Sequence, residues 1–247
     1  MPVEECGNML IIAAAAVVAG ADRSLVKRNF RTLKKWVKYL EKYGLQPENQ
    51  LCTDDFAGHL ANNVNLSIKA LVGIESFSII CKTLGKDELA EDYFHRAERF
   101  AEQIKEFAGK DVMPLAYKMK NSYSVKYNIL FDKLFGFNLI GKEICERETD
   151  YYITKNKRFG VPLDNRESYT KADWILWVSA ITDDRKKAEE LYSSVLRYLK
   201  ETPTRVSFGD WYYSDRGDIV HFINRSVVGA VFAPLLKLSG KMKVNWK

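Results

Sequence analysis

Three stretches of this chain bring carboxylates, cations and indole rings within a few residues of one another. The first, Leu51 to Ala70 (LCTDDFAGHLANNVNLSIKA), opens on Asp54 and Asp55 and adds His59, Asn62, Asn63 and Asn65 before an apolar helical run from Leu66 to Ile80. A buried polar group left unpaired costs about 1–3 kcal/mol, so this density beside a core helix points to a site. Capping by Thr53, Asp54 and Asp55 at a helix N-terminus accounts for one or two of these residues. It does not account for His59 and the asparagines. The second stretch, Arg158 to Trp177, carries Asp164, Arg166, Tyr169, Lys171, Asp173 and Trp174. The third, RVSFGDWYYSDRGD, carries Asp210, Trp211 and Tyr212, and Arg225 follows it. Carboxylates facing one another between aromatic walls, with a few cations, suit a small polar substrate. They also suit hydrolysis in which two carboxyls in different environments act as acid and base. Asp54, Asp55, Asp173 and Asp210 are the candidates for that work. Glu5, His59, Asn63, Asp164, Arg166, Tyr169, Lys171, Trp174, Trp211 and Arg225 are the candidate substrate contacts. Plainer readings stand beside these. Asp164-Asn165-Arg166 reads as a turn, Asp173 as a first-turn dipole partner above core tryptophans, and Asp210-Trp211 as a satisfied turn. Arg225 reads as a structural partner of Glu4 or Glu5.

Other chemistries find little support. The histidines are His59, His95 and His221, and neither a nucleophile elbow nor a glycine-rich phosphate loop occurs. The cysteines (Cys6, Cys52, Cys81 and Cys145) form no CxxC pair and match no zinc ligand set, so no metal or cofactor is expected; a disulfide is neither demanded nor excluded. Net charge is +6, from 38 basic and 32 acidic residues. The basic run Lys27 to Lys38 alternates with Phe30, Leu33, Trp36 and Val37 as a solvated amphipathic face, which argues against nucleic acid. Met9 to Ala19 is apolar but too short to span a bilayer, and Glu4 and Glu5 precede it rather than positive charge. No membrane insertion and no targeting signal are read from it, which leaves a cytoplasmic protein or a piece of a longer exported one.

Positioning these residues falls to helices. With 47% apolar and 13% aromatic residues, the chain has the composition of a globular core. Periodicity predicts about nine helices: Glu5–Gly20, Asp22–Tyr43, one ending near Leu84, Asp87–Phe107, Tyr127–Phe137, Lys142–Lys155, one beginning before Trp177, Asp183–Glu201, and Phe222–Leu238. The first, third, fifth, seventh and ninth are apolar over most of their surface. The second, fourth and eighth are amphipathic, and the sixth is short and polar. Alternation of this kind predicts an all-α fold of two concentric layers of helical hairpins, an α/α toroid, over an α-solenoid, for which a fixed repeat is missing. In a toroid the loops before the third, seventh and ninth helices converge at one mouth, with Glu4 and Glu5 at the same end.

Five segments carry a resemblance: MPVEECGNML, LCTDDFAGHLANNVNLSIKA, FGVPLDNRESYTKADWILW, ETPTRVSFGDWY and FINRSVVGAVF. Together they resemble the six-hairpin domain of the fungal and bacterial glutaminase A family over residues 1 to about 235. The resemblance implies an (α/α)6 barrel, here incomplete, in a secreted or cell-envelope enzyme that releases glutamate and ammonia from L-glutamine. It also implies an N-terminal β-rich region ahead of the motif at residues 1 to 10, so that residues 1–247 would form one helical domain, the C-terminal portion of a larger protein. The expected ligand is glutamine, with a sugar as the alternative because the barrel is similar to that of several glycoside hydrolases. A non-catalytic helical module is the third reading.

Overall fold

A computed structural model describes residues 1–246 as an all-α fold with one two-stranded ribbon. The helices are α1 (Pro2–Val18), α2 (Ser24–Arg28), α3 (Phe30–Tyr43), α4 (Val64–Thr83), α5 (Asp87–Ala108), α6 (Ile129–Phe135), α7 (Lys142–Lys155), α8 (Ala172–Ser179), α9 (Arg185–Glu201) and α10 (Ala233–Ser239). The strands β1 (Tyr169–Lys171) and β2 (Trp211–Tyr213) pair antiparallel. Two 3-10 turns complete the list, Asp55–Ala57 and Ser226–Phe232.

The helices form two layers. An inner row runs α1, α4, α6, α8 and then the Ser226–Phe232 turn with α10, each packed on the next. The amphipathic helices α3, α5 and α9 lie outside, α3 and α5 against α4 and α9 against α8, with α7 on α9. The centre is α4: every residue from Val64 to Cys81 is buried. It is long and apolar enough to cross a bilayer, yet here its partners are protein on all sides. Its packing on α3 and α1 is tight: a Cβ on Gly73 would fall 2.4 Å from Leu40 Cδ1 of α3 and 3.4 Å from Gly7 Cα of α1, so a side chain there would push the helices apart.

Three expectations about helices need correction. The second predicted helix is two, interrupted at Asn29, whose side-chain amide and backbone N–H both donate to the Leu25 carbonyl. The first helix is not apolar all round in its packing: Val3, Gly7, Leu10 and Ala14 are buried, whereas Met9 and Ile12 are exposed. The ninth predicted helix, Phe222–Leu238, is instead an extended approach, a 3-10 turn and then α10. Pro234 has no N–H to donate into a preceding turn, so it is accommodated in the first turn of α10 and marks the start of that helix rather than the middle of a longer one. Leu235 and Leu238, expected inside, face outward. All four cysteines are free thiols.

Candidate active site

The two-stranded ribbon builds the centre of the site. Lys171 ends β1 directly opposite Trp211, and Ala172 N donates to the Asp210 carbonyl at 2.8 Å, which brings the second and third stretches together. α8 starts at Ala172, so Asp173 and Trp174 sit in its first turn. The first stretch reaches the same point through the Asp55–Ala57 turn. Arg166 clamps that turn with a bond from Nη1 to the Ala57 carbonyl (3.1 Å), while its Nε and Nη2 fork onto Asp164 at 3.0 and 2.7 Å.

Lys171 Nζ fills the place where three carboxyls converge. It lies 3.2 Å from Asp173 Oδ2, 3.5 Å from Asp210 Oδ2 and 3.9 Å from Asp54 Oδ1, and all four residues are buried. The Lys171 ammonium also sits 4.7 Å from the Trp174 ring centroid. Asp54 accepts from Trp174 Nε1 at 2.8 Å and from the Tyr127 hydroxyl at 3.0 Å. Tyr127 and Trp174 stack at 3.9 Å, nearly parallel. Asp210 accepts a fork from Arg225, Nε at 3.0 Å and Nη2 at 2.5 Å.

The carboxyls differ in protonation. Burial pushes Asp173 up to about 7; Lys171 opposes that rise, and the charges of Asp210 and Asp54 add to it. Burial also raises Asp54, against the pull of Lys171, Trp174 and Tyr127. Asp210 goes the other way: burial would raise it, but the Arg225 fork and Lys171 hold it below the usual carboxylate range. Asp173 Oδ1 is buried and has no hydrogen-bond partner among the described residues.

Two hollows adjoin the cluster. Asp173 and Trp174 border an apolar cleft of about 310 Å³, walled by α6 and the Ser226–Phe232 turn. Asp54, Asn63, Asp164 and Tyr127 border a second of about 30 Å³, enough for a water molecule. The stacked pair contributes one ring to each hollow.

The remaining candidates sit around this centre or away from it. Tyr169 packs edge-on against Phe56 and Trp211, and Phe56 stacks on Trp211 at 4.0 Å. Asn63 is the N-cap of α4, its side chain accepting from Asn65 N at 2.9 Å; Thr53, Asp54 and Asp55 do not cap that helix. Asp55 and His59 are exposed, outside the buried cluster. Glu5 is exposed as well, and its neighbour Glu4 is the buried acid, 3.1 Å from Lys69 and accepting from Thr53 N. Arg225 pairs with Asp210 rather than with Glu4 or Glu5. Two contributors were not singled out from the sequence, Tyr127 and Phe56. Phe56 was legible as the aromatic directly after the paired aspartates. Tyr127 gave no signal beyond being an apolar start to an inner helix.

The chain is similar to known proteins over nearly all of its length. The model of the glutaminase A six helical-hairpin domain matches residues 1–235. Glutaminase A of Aspergillus oryzae is 33% identical over 246 residues, an alignment covering 96% of this chain and 35% of that protein. A probable glutaminase of Arthroderma benhamiae is 26% identical, with 94% and 37% covered. The chain thus spans about a third of the length of these relatives. On the match to nearly all of its residues, it belongs to the glutaminase A six helical-hairpin family.

Proposed function

We propose that this chain is the helical part of an amide hydrolase acting on L-glutamine, with Asp173 as its general acid. One observation carries the reading. Two cations, Lys171 and Arg225, face three buried carboxyls, Asp54, Asp173 and Asp210, so one negative charge is in excess. Lys171 is shared among the three, and although it lies nearest Asp173, burial raises that carboxyl to about 7, so Asp173 takes up the compensating proton. An acid of this kind can hand its proton to the amide nitrogen as the carbon–nitrogen bond breaks, and ammonia leaves. Asp210 is held ionised by Arg225 and keeps Lys171 in place. The base that activates water is Asp54 if the water occupies the small hollow, and Asp55 if it enters from solvent at the rim. Arg225 is half-buried, and with its Nε and Nη2 on Asp210 its Nη1 is left to hold a substrate carboxylate.

The test is ammonia release from glutamine. Asp173→Asn keeps shape and hydrogen bonding but removes the acid, and the rate should fall ~100-fold or more. An unchanged rate in a folded Asp173→Asn variant removes Asp173 from the chemistry. Asp54→Asn and Asp55→Asn, compared in the same assay, separate the two candidate bases. A carbohydrate substrate is less well supported by this geometry. Trp174 and Trp211, the rings that would stack on a sugar, are buried, and each already has a ring against its face, Tyr127 and Phe56.

A further inference from the structure

The excess positive charge of this chain is confined to one segment. Residues 24–43, which form α2 and α3, hold Lys27, Arg28, Arg31, Lys34, Lys35, Lys38 and Lys42 against a single acid, Glu41. Those are seven of the 38 basic and one of the 32 acidic residues, so 31 of each sign remain elsewhere and the segment carries the whole net charge of +6. Folding concentrates that charge on one surface. Leu33, Val37 and Leu40 turn one face of α3 into the core. Arg31, Lys35, Lys38 and Lys42 follow one another in steps of three and four residues on the opposite face, and all four are exposed, as are Lys27 and Arg28 on α2. Glu41 is drawn away by Arg96 of α5, at 2.9 Å. Among the described residues none of the seven cations is in an ion pair.

The other outer helices handle their charge differently. On α5, Arg96 pairs with Asp92 and Lys105 with Glu102. On α9, Lys187 reaches Glu146 and Asp150 of α7. Like charges three or four residues apart repel one another and weaken a helix, so the unpaired row on α3 is suited to an anion from outside. We propose that the α2–α3 face binds a linear acidic polysaccharide. The spacing of the charges points to that class. Arg31 to Lys42 spans about 17 Å of helix axis, with one cation per ~5.5 Å. Duplex nucleic acid offers one charge per ~1.7 Å, far denser than this row. A single strand binds through bases stacked on exposed rings, and the aromatic residues of α3 (Phe30, Trp36, Tyr39 and Tyr43) are all half-buried and off the row. A bilayer surface takes up apolar side chains set beside the cations, and the row on α3 has none. A chain of acidic sugars carries one carboxylate per ring with hydroxyls between, so it meets a widely spaced row of cations without needing an aromatic platform. α3 packs on α1 and α4, and its residues border neither hollow of the site. The surface is therefore independent of the hydrolysis proposed above.

The experiment is a calorimetric titration of the chain with polygalacturonate at low and at physiological salt. Saturable binding is expected at low salt, weakening as salt rises and screens the exposed charges. Lys35→Glu/Lys38→Glu should lower the affinity about tenfold or more, since two attractions become repulsions. Both side chains face solvent, so circular dichroism should match the parent; if it does not, Lys35→Gln/Lys38→Gln takes its place, with a smaller loss of the same sign. Lys110→Glu/Lys120→Glu makes the same change in net charge at exposed positions outside the segment, and should alter the affinity less than about threefold. The proposal is overturned by no saturation at low salt, by an affinity that salt does not change, or by an equal loss in the two pairs of substitutions. Tighter binding of polyglutamate, of oligothymidylate or of anionic vesicles than of polygalacturonate would overturn it too, by giving the row to a different class of partner.

Discussion

Two buried acidic clusters lie along the inner row, and they have different consequences. Glu75 on α4 and Asp132 on α6 are both almost fully buried and face each other. Asp132 accepts from Leu139 N at 2.8 Å and Ile140 N at 3.0 Å, so it ties down the chain leaving α6. Burial, and then the charge of Asp132, push Glu75 well above its usual range, and it keeps its proton. Among the described residues that pair makes no ion pair with a cation, Lys105 acting on Asp132 only through its charge, and it borders neither of the hollows at the site. The cluster around Lys171 has two cations, one of them the half-buried Arg225 guanidinium, and a hollow on either side. Burial alone is therefore a poor marker of chemistry. One pair solves its charge problem by holding a proton permanently. The other solves it with cations and leaves a single proton poised near pH 7 beside an open volume, which is what acid catalysis requires.

Removing the cation is the hardest blow to that contrast. Lys171→Met leaves two or three carboxyls facing one another with only Arg225 to balance them, and breaking a buried ion pair from one side costs about 3–5 kcal/mol. Denaturant unfolding should show that loss at pH 7. A Lys171→Met chain as stable as the parent would mean that the carboxyls are already neutral and that the two clusters are alike.

At the other cluster, Asp132→Ala orphans one buried and one part-buried backbone donor, Ile140 N and Leu139 N, for a smaller loss of about 2–4 kcal/mol. Glu75→Gln acts through pH. A carboxyl whose folded pKa is raised contributes stability that is complete below its unfolded value, near 4.5, and is lost as pH climbs toward the folded one. The glutamine variant lacks that dependence. The two proteins should therefore match at pH 4, with the variant gaining on the parent as pH rises to 8. A constant difference across that range would mean that Glu75 ionises normally and the proton-holding account is wrong. Asp173 has the same sign over a narrower window, from about 3.8 to about 7.

Much of this contrast was readable before any coordinates, and the unreadable part has a physical cause. The helices declare themselves because an apolar residue every three or four positions has one structural solution. The three stretches that meet at Lys171 declare themselves because Asp, Arg, Trp and Tyr crowded next to apolar helices need a reason. Which carboxyl is buried could not be read. Glu4 and Glu5, or Asp54 and Asp55, are adjacent in sequence, and a single residue of rotation sends one inward and the other to solvent. Only the Asp55–Ala57 turn and the first turn of α1 decide it. Tyr127 escaped because a tyrosine opening an inner helix looks like any core residue until its hydroxyl is seen on Asp54. Helix-like periodicity from Phe222 to Leu238 misled for a related reason, since the pattern says nothing of whether a partner surface is present to bury it.

The finest test of the comparison is a single oxygen atom. Tyr127→Phe removes one of the two side-chain donors on Asp54 and keeps the ring stacked on Trp174. A hydrogen bond to a charged acceptor contributes about 1.5–3 kcal/mol, and Trp174 Nε1 and Lys171 remain to share the load, so the expected loss at pH 8 is at the low end of that range. The loss should shrink as pH falls and Asp54 takes up a proton, because a neutral carboxyl no longer needs both donors. The same oxygen deleted from a tyrosine that touches no carboxylate would show no such pH dependence. A pH-independent cost for Tyr127→Phe would therefore mean that Asp54 is neutral throughout. In that case the Lys171 cluster would hold its protons as permanently as Glu75 does.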